Sequence, residues 1–162
     1  MDLSKVKILY TSNSRYAAGV YASEAYKRIT LAELDPGDYI NTGETVIKKK
    51  EIFIIVHMNI AKLLTEEELY AVLCHEHGHI LHGHLDSPSG ELLNNLAYEY
   101  AADDYAITCV PVDLYIVALS KVIKFQLKLM CKISGLSTKK VKEMCKGDFD
   151  NVAKRIERLT VR

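Results

Sequence analysis

The chain carries no excess of either charge: lysine plus arginine and aspartate plus glutamate each number 21 among 162 residues. That balance excludes a global field steering it to nucleic acid or an anionic membrane. No apolar run approaches the roughly 20 residues a membrane-spanning helix needs, and the stretch 52–56 is far too short. No membrane span is expected. Paired cysteine motifs are also missing: Cys74, Cys109, Cys131 and Cys145 form no CxxC and no framework spacing, so reduced thiols in a cytoplasm are the simpler account. The start, Met1-Asp2-Leu3-Ser4, has no basic and apolar leader before a strand-like 6–10. The expectation is one soluble, cytoplasmic domain over 1–162, long enough to bury a core without staples.

What is present is concentrated. Five of the 6 histidines fall within 75–84, and His75, Glu76 and His79 spell HExxH. Two imidazoles four residues apart on a helix face the same side about one turn from each other, which is the geometry two ligands of one zinc ion require. The glutamate beside the first histidine then lies next to the position left open on the metal, where it can act as a base.

The flanking residues build the helix that the motif needs. Thr65-Glu66-Glu67-Glu68 reads as a capping box, with three carboxylates at the positive end of the helix dipole. Leu69, Val72, Leu73, Glu76 and Ile80 recur at helical spacing, which predicts an amphipathic helix over 66–81. Glu76 interrupts that stripe. A carboxylate on a mostly buried face is costly unless it is bonded, paired or near a metal.

A catalytic zinc also wants a third protein ligand. His82 shares the face of the pair but lies about 10 Å along the axis from His75, too far for one ion to bind all three. His77 points away, and His84 falls after Gly83, where the helix should have ended. The extended form HExxHxxGxxH fails, because the chain has His82 and Leu85 where Gly and His are needed. A second helix is predicted from a Ser87-Pro88 start through Leu92, Leu93, Leu96, Ala97, Tyr100, Ala101 and Ile107 to about Cys109, folded back antiparallel on the first. Glu99 and Asp103 share a face of it. Glu99 can then reach the metal while Asp103 accepts a hydrogen bond from the far nitrogen of a ligand histidine and fixes its tautomer. Asp104 reads as a solvated charge. This reasoning favours Glu99 as third ligand and leaves Asp103, Asp86, Glu91 and Cys109 open.

The segment 64–80 followed by Glu99-Tyr100-Ala101-Ala102-Asp103 resembles the gluzincin peptidases of the HtpX and CAAX prenyl protease type. In that family a Glu-x-x-x-Asp segment follows HExxH on a second helix. The resemblance implies His75, His79 and Glu99 as ligands of one Zn²⁺ per chain, Glu76 as general base and Asp103 as support for a ligand. Lys154-Arg155-Ile156-Glu157-Arg158-Leu159 is similar to the family's closing helix. Members of this type usually carry membrane spans, and a His-Pro pair often precedes their last helix, where this chain has Gly147-Asp148-Phe149-Asp150. The compact soluble minigluzincins are the closer match. The implied fold is α+β and zincin-like: a small N-terminal sheet with an edge strand over the HExxH helix, then a glutamate helix and a C-terminal helical bundle.

Strands are expected at 6–10, 28–31, 45–48 and 51–56, with a turn at Asp35-Pro36-Gly37-Asp38. The region 14–27 reads as either helix or loop. By the resemblance, 51–56 corresponds to the edge strand above the metal, where a polypeptide substrate could pair; its other reading is an ordinary core strand. A long helix is predicted over 112–133 and ended by Gly135. A short one starts at Ser137 and is ended by Gly147, and a last one is capped by Asp150. The basic face of Lys139, Lys140, Lys142 and Lys146 reads as solvated. The function expected is zinc-dependent endopeptidase. The alternatives are a regulatory peptidase of the ImmA/IrrE kind that cuts a repressor, or a latent or non-catalytic zinc-binding interaction protein. Oligomeric state is not legible.

Overall fold

The computed structural model describes residues 6–12, 20–24, 52–84 and 96–161. These form β1 (Lys7–Thr11), β2 (Val20–Glu24), β3 (Ile52–His57), α1 (Met58–Leu63), α2 (Glu66–Leu81), α3 (Leu96–Cys109), α4 (Val112–Ser134), α5 (Thr138–Met144) and α6 (Lys146–Thr160). The architecture is mostly helical with a small sheet, compatible with α+β. The expected strands at 28–31 and 45–48, the Asp35–Asp38 turn and the Ser87-Pro88 helix start lie outside the described residues.

The described strands are ordered β1-β3-β2, with β1 parallel and β2 antiparallel to β3. Ile54 pairs with Ile8 on one side and Ala22 on the other. This corrects the edge-strand expectation for 51–56: β3 is the central strand, and Phe53, Ile54, Ile55, Val56 and His57 are all buried. An unbroken apolar run is what a strand covered on both faces needs. The outer strand packed against α2 is β2, in the region that read as helix or loop.

His57 ends β3 and starts α1, its Nδ1 accepting from the Asn59 amide at 3.1 Å. α2 then begins on its capping box: the Thr65 hydroxyl accepts from the Glu68 amide at 3.2 Å and the Glu68 carboxylate from the Thr65 amide at 2.9 Å. The same carboxylate binds Lys121 of α4 at 2.6 Å, which, ahead of the Thr65 amide, holds it below the usual carboxylate range.

α2 spans the predicted residues, and its predicted face meets the core with Val72 and Leu73 buried and Leu69 and Ile80 packed against it, but burial extends well beyond that face. Glu68, Ala71, Val72, Leu73, Cys74, His75, His77, Gly78 and His79 are buried, while Glu76 and Ile80 are half-buried. The helix is enclosed on several sides rather than on one stripe. α3 departs further from its expected face: its buried residues are Ala102, Asp103 and Ala106, and the expected stripe of Leu96, Ala97, Tyr100, Ala101 and Ile107 is half-buried or exposed. Small residues explain the choice, because they let two helices approach closely. A Cβ on Gly78 would lie 2.9 Å from the Ala102 Cα and 3.1 Å from its carbonyl oxygen.

Gly83 at φ 67° ends α2 and Gly135 at φ 68° ends α4, both left-handed positions that favour glycine. Ser137 caps α5 by accepting from the Lys140 amide. The expected stop at Gly147 and cap at Asp150 are not found: α6 starts at Lys146 and includes both. Only Cys145 leaves the helical path, and its carbonyl already accepts from the Asp148 and Phe149 amides at 3.1 and 3.2 Å. One core joins the sheet, α1, α2, α3, α4 and α6 through Ile54, Ile60, Ala71, Ala106, Tyr115 and Leu159. Among the described residues no helix is long and apolar enough to cross a membrane.

The α2–α3 contact gives a test. Gly78→Ala should destabilise the fold by about 1–3 kcal/mol in urea unfolding, as overpacking against backbone does. It should also weaken metal retention by spreading the two helices. A variant as stable as the parent would show that the contact is loose.

Candidate metal centre

His75 and His79 lie one turn apart on α2 with ring centroids 4.7 Å apart and planes at 89°. Their Nε2 atoms are 3.1 Å apart. Glu99, in the first turn of α3, places Oε2 3.5 Å from His75 Nε2 and Oε1 3.4 Å from His79 Nε2. Three donor atoms therefore converge within 4.8 Å of one another, a group that could hold a metal ion. Tetrahedral zinc with bonds of about 2.0–2.2 Å has ligand–ligand edges of roughly 3.3–3.5 Å, so the observed spacing fits.

The far side of each ring decides whether its Nε2 lone pair is available. His75 Nδ1 lies 3.0 Å from Asp103 Oδ1 and 2.9 Å from the Tyr115 hydroxyl. A carboxylate only accepts, so Nδ1 carries the proton and Nε2 is the free donor atom. Asp103 is fully buried and accepts from Tyr115 Oη at 2.5 Å, from Arg155 Nε at 2.9 Å and from Arg155 Nη2 at 2.7 Å. Arg155 also reaches Glu99 Oε2 through Nη1 at 2.5 Å. One guanidinium from α6 thus holds the third candidate ligand and the carboxylate behind the first.

These contacts set the charges. Burial works to raise the Asp103 carboxyl, but His75 and Arg155 outweigh it and hold the group well below its ordinary value. Glu99 is lowered in the same way by His75, His79 and Arg155 against the cost of burial. Burial pushes the Tyr115 hydroxyl well above its usual range, with the Asp103 charge adding to it, so it stays a donor. For His75 burial works downward, yet Asp103 and Glu99 together raise it to about 9.

His79 is supported by a neutral partner. Its Nδ1 lies 2.9 Å from Nδ1 of His84, and His84 is buried and stacked on Tyr98 with centroids 4.1 Å apart. Burial, then the neighbouring His79, lowers His84 to about 4, which leaves it uncharged at neutral pH. It can then accept the Nδ1 proton of His79, leaving His79 Nε2 to face Glu99.

The structure brings His75, His79, Glu99 and Asp103 together as the sequence reasoning had them. Glu76, the residue after His75, is half-buried. Cys109 is not in the cluster but interacts with Cys74, and Asp86 and Glu91 lie outside the described residues. His77 turns to the Tyr105 hydroxyl at 3.1 Å, and His82 is exposed. Asp104 is not simply solvated: it pairs with Arg158 at 2.5 Å, whose guanidinium lies 4.6 Å over the Tyr100 ring. Sequence reasoning missed Gly78, His84, Tyr115 and Arg155. For His84 a signal existed, since a left-handed Gly83 turns the next residue back over the helix end. Tyr115 had none, lying 40 residues from His75, and Arg155, 80 residues away, had only its place in a closing helix that resembles the family's.

A profile of Peptidase family M48 matches residues 42–106, which include HExxH and Glu99-x-x-x-Asp103. No curated protein and no solved structure matches the chain. The match and the His/His/Glu cluster together support a metallopeptidase.

A pH test follows from the charges. His75 rises from 6.5 to about 9, so without metal its contribution to stability is full below 6.5 and is lost as pH climbs through 9. Glu99 and Asp103 are lowered, so theirs is present above their ordinary 4.5 and 3.8 and is lost on acidification. In chelator, Tm should therefore fall across pH 6.5–9. Added zinc, which needs the unprotonated ring, should raise Tm increasingly over the same window. A zinc increment that is flat with pH would remove the His75 proton from the competition.

Proposed function

We propose that the chain is a zinc-dependent endopeptidase, carrying one Zn²⁺ on His75, His79 and Glu99 and acting on polypeptide. The single observation that carries this reading is the convergence of three lone pairs, with both histidine Nδ1 atoms engaged on the opposite side. When bound there, zinc supplies Lewis acidity toward a carbonyl oxygen and lowers the pKa of water toward neutrality. Glu76 is the general base: its carboxylate takes a proton from the attacking water and passes it to the departing amine. Asp103 orients His75 and keeps its proton on Nδ1. Arg155 fixes Glu99 against the pair. The M48 match supports a polypeptide substrate, and within it the sequence resemblance points to the zincin-like fold of the minigluzincins. The four unpaired cysteines suit a reducing cytoplasm.

Glu76→Gln should keep zinc at one per chain and lose peptide hydrolysis by roughly 10²–10⁴-fold, the usual share of a general base. Metal analysis and peptide-library cleavage read both quantities. An active Glu76→Gln protein would remove Glu76 from the mechanism. Glu99→Ala should release zinc to a chelator far faster than the parent does. Unchanged zinc content after that substitution would reassign the third ligand.

A further inference from the structure

Two cavities lie side by side along α4, and the inner one reaches Glu99 of the metal centre. The inner one, about 470 Å³, lies between α4 and α6, with Glu99 and Arg155 among its lining together with Ile123, Met130, Phe149 and Val152. The outer one, about 220 Å³, is lined by Ile133, Leu136, Val141 and Met144 at the end of α4 and on α5. Met130 and Cys145 line both, so the two adjoin at these side chains and make one interrupted groove. Its far rim leaves Ile133 76% and Met144 66% exposed, a concentration of apolar surface that folding alone does not require.

We propose that this groove binds the substrate segment on one side of the bond to be cut, and that it selects an extended apolar stretch of about four to five residues. The inference rests on the peptidase reading for which bond is cut, but not for binding itself. Its length follows from α4: Ile123 and Ile133 are ten residues apart, about 15 Å at 1.5 Å per residue. An extended peptide covers that distance in four to five residues at about 3.3 Å each. Its chemistry follows from the walls. The outer cavity has no charged lining residue. The inner one is mixed: Gln126, Asp148 and Asn151 line it beside the apolar walls, and its Glu99 and Arg155 pair with each other. A carboxylate on the bound segment would lose its water in the outer cavity without meeting a cation there.

The methionines allow a direct test. Met130 and Met144 line the groove, whereas Met58 starts α1 at the end of β3. In full-length Glu76→Gln protein with ¹³C-methyl methionine, with and without zinc, a blocked apolar pentapeptide should shift the Met130 and Met144 methyl signals saturably and leave Met58 in place. The same peptide with a central aspartate should bind at least about tenfold more weakly. Met130→Trp, a bulky residue at the junction of the cavities, should abolish the Met144 shift while urea unfolding and zinc content stay as in Glu76→Gln alone. Still Met130 and Met144 signals at millimolar peptide, equal binding of the aspartate peptide, or unaltered binding after Met130→Trp would each overturn the groove. A parent chain that cuts no peptide would overturn the peptidase reading instead, because the methyl signals need no turnover.

Discussion

A fully buried carboxylate, Asp103, is the constraint on which the rest of the structure depends. It accepts from Arg155 twice, from Tyr115 and from His75, and so ties α3 to α6, α4 and α2 at one point. Burying an ion pair costs several kcal/mol per charge in desolvation, and its Coulombic gain need not exceed that cost. The arrangement is therefore weak evidence for net stability and stronger evidence for specificity. With four contacts converging on Asp103, a shifted α6 or a rotated α3 would leave a buried charge without its partner. The network thereby selects one packing of four helices, and that packing presents the His75 and Glu99 donor atoms to each other.

The second constraint is steric. Asp103 and Glu99 can act on α2 only because Gly78, Ala102 and Ala106 leave no bulk between the helices. The spacing of four appears twice, as His75/His79 on α2 and Glu99/Asp103 on α3. Two such pairs on closely packed helices place four side chains at one level. Polar residues then face inward where the alanines and the glycine permit contact, which is why neither helix shows a clean apolar stripe.

That conflict explains what was legible from the sequence. Local signals were read correctly: the Thr65/Glu68 capping box, the 66–81 span, the glycine stops at Gly83 and Gly135, and the end of α3 at Cys109. The candidate ligands were also legible, because helical spacing alone aligns His75 with His79 and Glu99 with Asp103. Wrongly placed features depended on partners distant in sequence. The apolar stripe of α3 was assigned by hydrophobicity, whereas close packing selected small residues. For β3 the resemblance implied an edge strand while the residues left a core strand equally open, because nothing local tells how many neighbours a strand will have. Asp150 looked like a cap, but a cap is needed only where the chain leaves the helix, and here that happens at Cys145. Arg155 was visible within a familiar-looking closing helix, yet its role needs the fold, since 52 residues separate it from Asp103.

The two histidines are not equivalent donors, and the difference bears on how folding and metal binding are linked. His75 gives its Nδ1 proton to an anion that is itself held by a cation, which raises the basicity of the opposite nitrogen. His79 Nδ1 meets Nδ1 of His84, a neutral imidazole stacked on Tyr98, so its support carries no charge. In the metal-free protein the more basic ring takes a proton, which sits among His75, His79 and Glu99 where a cation fits. With that proton the charges on His75, Arg155, Glu99 and Asp103 sum to zero, whereas a divalent ion in its place would leave them at +1. That balance favours keeping Glu99, Asp103 and Arg155 buried together without metal, with three donor atoms within 4.8 Å of one another.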